Sequence, residues 1–143
     1  MQFILTNKVM RDSIKSDIQE SIKVKNDLIE KSIDDIEKAA KLIIRCVLNG
    51  GKVLWCGNGG SAADAQHLST EFMGGMTDQN RRPIPSIALT TDTSFITAWS
   101  NDTDFESVFS RQIQGIGSEG DVLVAISTSG KSPNVISAIK QAK

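Results

Sequence analysis

From Lys52 onward the chain alternates short β-branched apolar runs with stretches of helical period, and that alternation admits few folds. The apolar runs are residues 52–57 (KVLWCG), 85–90 (PSIALT) and 121–128 (DVLVAIST). Helices are predicted over 61–73, 92–102, 104–117 and 132–143, the last opened by Ser132 as N-cap with Pro133 behind it. Strands separated by helices need crossover connections and therefore pair in parallel. Nearly continuous apolar strands also require cover on both faces. The expectation is an α/β fold: a parallel sheet with helices on both sides.

The N-terminal third has a different texture. Residues 7–48 contain neither glycine nor proline, and apolar positions recur at helical spacing: Ile14, Ile18, Ile22, then Ile29, Ile33, Ile36, then Ala40, Ile43, Ile44, Val47. Two helices are predicted, broken between Lys31 and Asp34 with Ser32 as a candidate N-cap, and stopped at Asn49-Gly50-Gly51. The stripe can pack on its own domain or against another subunit. The domain expectation is one unit over 1–143, with helices in 1–49 and the α/β part in 50–143. The final helix reaches Lys143 after three strands with no stop signal, so a sheet that continues further is expected.

Bulk properties exclude several classes. A net charge of -1 gives no basic excess for nucleic-acid binding. No apolar run reaches membrane-spanning length, and no signal-peptide pattern opens the chain. Cys46 and Cys56 fall in a helix and a strand rather than a disulfide framework, which points to a reducing cytoplasm. Cys56, Trp55 and Trp99 read as packing residues.

In parallel sheets, ligands bind beyond the carboxyl ends of the strands. Two strands end there in small polar turns that lead straight into helices: Cys56–Ser61 (CGNGGS) and Ser127–Ser132 (STSGKS). Glycine admits close approach of a ligand to the backbone, and a helix N-terminus offers N–H groups and a favourable dipole. Ser127, Thr128, Ser129 and Ser132 add hydroxyl donors suited to a phosphate ester. Neither turn has Walker A spacing, and the first is not a dinucleotide fingerprint. On the helix after the first turn, His67, the single histidine of the chain, and Glu71 share a face at i,i+4. That spacing suits two metal ligands, a base with its orienting partner, or an ordinary surface pair.

The segments CGNGGSAADAQHLSTEF, IALTTDTSFITAWSND and DVLVAISTSGKSPNVISAIK resemble the sugar-isomerase (SIS) domain. More narrowly, they are similar to the sedoheptulose 7-phosphate (phosphoheptose) isomerases, from the N-terminal helices to Lys143. The resemblance implies a flavodoxin-like parallel sheet with an N-terminal helical arm, assembled as a homotetramer. It implies aldose–ketose isomerisation of sedoheptulose 7-phosphate to D-glycero-D-manno-heptose 7-phosphate, toward the lipopolysaccharide core. Carried over by position, Ser127, Thr128, Ser129 and Ser132 would hold phosphate. Asn58, Gly59, Gly60, Asn101 and Asp102 would line the substrate. Glu71 would be the general base and, with His67, a ligand of Zn2+.

Two departures stand out. A glutamine and a histidine on a later helix, which complete the family's site, have no counterpart before Lys143. Gly75 occupies the place where many members have an arginine, so that contact is missing or falls to Arg81 or Arg82. The competing reading is a non-catalytic SIS-domain protein that binds a phosphosugar, or the replication initiator DnaA as an assembly factor. Retention of Glu71 and of the STSGKS turn favours the enzyme.

Overall fold

A computed structural model describes residues 7–143, so residues 1–6 of the expected helical segment lie outside the described residues. The chain divides into two compact units, one ending at Lys41 and the other running Leu42–Lys143.

The first unit is helical. α1 spans Asn7–Lys31, and α2 spans Ile33–Leu48, starting in this unit and running on into the second, so the break falls at Ser32 as expected. It is slight: the Ser32 amide donates to Leu28 O at 2.9 Å and its own carbonyl accepts from Ile36 at 3.0 Å. Lys31–Asp27 at 3.1 Å and Lys41–Glu37 at 2.6 Å are exposed i,i+4 pairs of small energetic weight. The apolar stripe stays uncovered, with Ile14, Ile18, Ile22 and Ile29 each more than half-exposed.

The second unit is the α/β part. Its elements are β1 (Val53–Gly57), α3 (Gly60–Gly74), β2 (Ser86–Ala88), α4 (Thr93–Asp102), α5 (Val108–Ile116), β3 (Val122–Ile126) and α6 (Pro133–Gln141). The strands pair in parallel in the order β2-β1-β3, with Val53 opposite both Ser86 and Val122. The expected α/β class is therefore borne out. All five residues of β1 are buried, because it is the central strand. The pleat sends Val53 and Trp55 into one cluster with Ala65, Leu68 and Phe72 of α3 and Ile43 of α2. It sends Leu54 and Cys56 the other way, into a cluster with Val108, Phe109 and Ile113 of α5 and Val135 and Ala138 of α6.

Element boundaries shift where side chains compete with the backbone ladder. The helix expected from Asp104 begins only at Val108, because Asp104 Oδ1 accepts the Ser107 amide at 2.6 Å and closes a turn first. Ser132 is the N-cap residue as predicted, but its hydroxyl makes no cap bond and lies 3.2 Å from that of Ser127. Trp55 Nε1 donates to Ser86 Oγ at 2.7 Å, which donates to Ser69 Oγ at 3.0 Å, so β1, β2 and α3 are linked by satisfied buried polar groups.

At the amino end of the sheet, Asp121 ties β1 to β3. One carboxylate oxygen accepts the Lys52 amide at 2.9 Å; the other takes Lys52 Nζ at 2.5 Å and the Ser118 amide at 2.8 Å. Burial pushes this carboxyl up, but hydrogen bonds from Lys52 and Ser118, with the Lys52 charge, outweigh it and hold the group below its ordinary value. A carboxyl lowered in the folded state adds stability above its unfolded pKa and loses it as pH falls through the folded one. Asp121→Asn is expected to lose about 2 kcal/mol in urea melts at neutral pH. The gap to the unsubstituted protein should close below the ordinary carboxylate range; a gap equally large in strong acid would refute this account.

Candidate functional site at the strand ends

The two glycine-containing turns emerge side by side, since β1 and β3 are neighbours paired from Val53–Val122 to Gly57–Ile126. Gly57 closes β1 against the first turn of α3. A Cβ there would stand 2.7 Å from Ser61 O and 2.8 Å from Ser61 Cβ, so the close approach admits glycine alone. Gly59 is the α3 N-cap at φ 55° and ψ -121°, a backbone that side-chain-bearing residues avoid.

Asn58, between these glycines, is locked from the other turn. Its Nδ2 donates to Asn134 Oδ1 at 2.9 Å, and Asn134 Nδ2 returns a bond to Asn58 Oδ1 at 2.9 Å. In the second turn the Gly130 amide donates to Ser127 Oγ at 3.1 Å and the Lys131 amide to Ser129 Oγ at 3.2 Å. Ser127, Ser129 and Ser132 thus form a hydroxyl cluster, while Thr128 is exposed beside it. Between the first turn and α4–α5 lies a hollow of about 160 Å³, lined by Gly57, Asn58, Gly59, Thr90, Ile96 and Phe105 among others.

The remaining candidates lie elsewhere. Asn101 and Asp102 are the last residues of α4 rather than part of the turn after it; both are exposed, with Asn101 Nδ2 donating to Asp102 Oδ1 at 2.8 Å. His67 is 72% exposed and its Nε2 stands 4.0 Å from Glu71 Oε1, a loose pair. At 1.5 Å per residue, α3 carries Glu71 roughly 16 Å beyond Gly60, toward the amino end of the sheet. Glu71 there lines a separate hollow of about 320 Å³ with Phe72, Gly75 and Arg81. One chain therefore brings Asn58, Gly59 and Gly60 together with the serine turn, and leaves His67 and Glu71 apart from them.

Arg81, one of the two candidates for the contact absent at Gly75, has its guanidinium bonded to backbone carbonyls. One of its Nη atoms donates to Glu71 O at 2.7 Å and Phe72 O at 2.9 Å, and the other to Arg82 O at 3.0 Å. It satisfies the last carbonyls of α3, where a cation also complements the helix dipole. Cys56 is fully buried, and burial pushes its thiol up to about 12, which removes it from nucleophilic chemistry. As two donors, His67 and Glu71 fall short of a zinc site, and among the described residues no group of three or more metal-binding side chains forms.

The parallel α/β unit carries two glycine turns at adjacent strand ends, one lined by hydroxyls, which is where parallel sheets place their ligand sites. The chain belongs to the SIS domain family, whose family model, described as the SIS domain, matches residues 18–143. It is 50% identical over 133 residues to the phosphoheptose isomerase of Shewanella loihica, covering 93% of this chain and 67% of that protein. The phosphoheptose isomerase of Shewanella oneidensis matches with the same identity and coverage. Among solved structures, phosphoheptose isomerase GmhA from Neisseria gonorrhoeae superposes with a TM-score of 0.85 at 45% identity, over 93% of this chain and 68% of that one. A phosphoheptose isomerase from Francisella tularensis gives 0.88 at 40% identity, over 93% and 69%.

Sequence reasoning missed Asn134 and Phe105. An asparagine directly behind the Ser132-Pro133 helix start was the available signal for the first. The capping role of Arg81 is testable: Arg81→Met should lower stability by about 1–2 kcal/mol, read as a shift in urea midpoint at unchanged m-value. No shift would mean that water satisfies those carbonyls equally well.

Proposed function

We propose that this chain interconverts sedoheptulose 7-phosphate and D-glycero-D-manno-heptose 7-phosphate, supplying heptose for the lipopolysaccharide core. The observation behind this reading is the 50% identity to phosphoheptose isomerases over 93% of the chain, in a fold that sets both glycine turns side by side. The whole of 1–143 is then one SIS domain, with 1–49 as its N-terminal arm.

The serine turn takes the phosphate through Ser127, Thr128, Ser129 and Ser132. Asn58, Gly59 and Gly60 take the sugar, with Asn101 and Asp102 as further substrate contacts. Ketose–aldose exchange moves a proton between neighbouring carbons through an enediol. Glu71 is the base that removes it from one carbon and returns it to the other. Because α3 separates Glu71 from the turns of its own chain, the base that serves a given turn comes from a neighbouring copy, in the homotetramer. The uncovered apolar stripe of α1 fits such an assembly.

His67 and Glu71 would supply two ligands to a Zn2+ ion, which would need further donors to complete its coordination. The proposed site of action is the cytoplasm; no helix among the described residues is long and apolar enough to cross a membrane.

Proton NMR of sedoheptulose 7-phosphate in deuterium oxide tests the chemistry. The heptose 7-phosphate should appear with deuterium at the carbon beside the carbonyl, and Glu71→Gln should slow it about a hundredfold or more. Neither product nor exchange, with zinc or without, would sink the isomerase and favour the non-catalytic or DnaA-binding reading. Mixing Glu71→Gln subunits with subunits carrying Ser127→Ala and Ser129→Ala should restore part of the activity that each lacks alone. Mixed assemblies as dead as their parents would return the base to its own chain.

A further inference from the structure

Asn134 is the most buried polar residue of the α/β unit, at 2% exposure, and it sits within the first turn of α6. A buried amide has up to four hydrogen-bonding positions to satisfy, and here three are met. Its Oδ1 accepts from Asn58 Nδ2 at 2.9 Å and from the Val135 amide at 3.0 Å, and its Nδ2 donates to Asn58 Oδ1 at 2.9 Å. The Val135 bond fixes which end of the Asn134 amide is oxygen, since a backbone N–H needs an acceptor. That choice in turn fixes the Asn58 amide, since the paired bonds form in one orientation only.

Asn58 lies in the other turn, 76 residues earlier in sequence, and lines the hollow beside Gly57, Gly59 and Phe105. With one N–H and one lone pair committed to Asn134, its amide keeps one donor and one acceptor for a ligand. A sugar hydroxyl can both give and accept a hydrogen bond, and so matches this pair of positions. We infer that Asn134 is a positioning residue: its paired amide holds Asn58 of the first turn in the one orientation that offers a donor and an acceptor to a sugar hydroxyl. It acts through Asn58 and not on the phosphate. The inference rests on the reading of the two turns as sugar and phosphate subsites.

Calorimetry on the full chain, with sedoheptulose 7-phosphate and with inorganic phosphate as separate titrants, tests it alongside kcat and KM. Asn134→Leu removes the paired bonds at similar volume. Asn134→Ser retains a hydroxyl for the Val135 amide but is too short to reach Asn58, and it serves if the leucine variant fails to fold. Each should weaken sugar phosphate binding about tenfold, the equivalent of one to two hydrogen bonds, and raise KM alike. Affinity for inorganic phosphate should stay within about twofold, and kcat should change less than KM. In an Asn58→Ala background, the Asn134 substitutions should add nothing further to the loss.

A folded Asn134 variant with unchanged sugar phosphate affinity would overturn the inference and reduce Asn134 to a packing role. So would a parallel loss of inorganic phosphate affinity, which would place its effect on the serine turn. Additive losses in the double variant would also overturn it, because Asn134 would then act independently of Asn58. A wild-type protein that binds neither titrant would instead defeat the subsite reading itself.

Discussion

The α/β unit depends on the two-sided burial of β1. It is the only strand of the described sheet that is buried along its whole length, and each face of it feeds a different helical layer. Trp55 and Val53 anchor α3, while Leu54 and Cys56 anchor α5 and α6. Because β1 pairs with both other strands, its register fixes where the turns at their carboxyl ends emerge. Burying side chains of this size is worth about 1.5–3 kcal/mol each. That makes the strand a rigid mount for Gly57 and Asn58, which follow directly from it.

The two ends of the sheet have been given different tasks. The amino end is closed by the Asp121 carboxylate, which gathers the Lys52 amide, the Lys52 ammonium and the Ser118 amide. Those groups are spent on one another and leave little to offer a ligand. The carboxyl end collects small side chains whose bonds are mostly to neighbours in the same two turns, with glycine wherever backbone must come close. Stability is concentrated at one edge and ligand-ready chemistry at the other, as parallel sheets commonly arrange it. Glu71 is the exception, since α3 carries it back toward the amino end. For that reason the proposed function draws Glu71 from a neighbouring copy.

Much of this was legible beforehand. The alternation of apolar runs and helical stretches gave the parallel class, and the strand at 52–57 was placed within one residue of the observed β1. Asp92 caps α4 through the Phe95 amide at 2.9 Å, as an aspartate before a helix would. The less legible parts were long-range. Arg81 was one of two candidates for a contact absent at Gly75, and no local pattern showed that it caps α3, because the chain after Gly75 folds back onto the end of that helix. Phe105 reads as an ordinary apolar residue near a helix, and only the packing of α4 and α5 beside β1 turns it into a wall of the hollow.

The sequence by itself determined the local elements: which stretches are strand or helix, where glycine must stand, and which turns hold hydroxyls. These follow from short-range periodicity and turn chemistry, which act over a few residues and need no partner. Tertiary structure alone decided that Asn58 meets Asn134 and that β1 is central. It also decided that His67 and Glu71 stand apart from the turns. Those facts depend on which strands neighbour one another and on the length of the helix between them. No local pattern encodes a hydrogen bond between residues 76 positions apart; the crossing of the chain over its own sheet creates it.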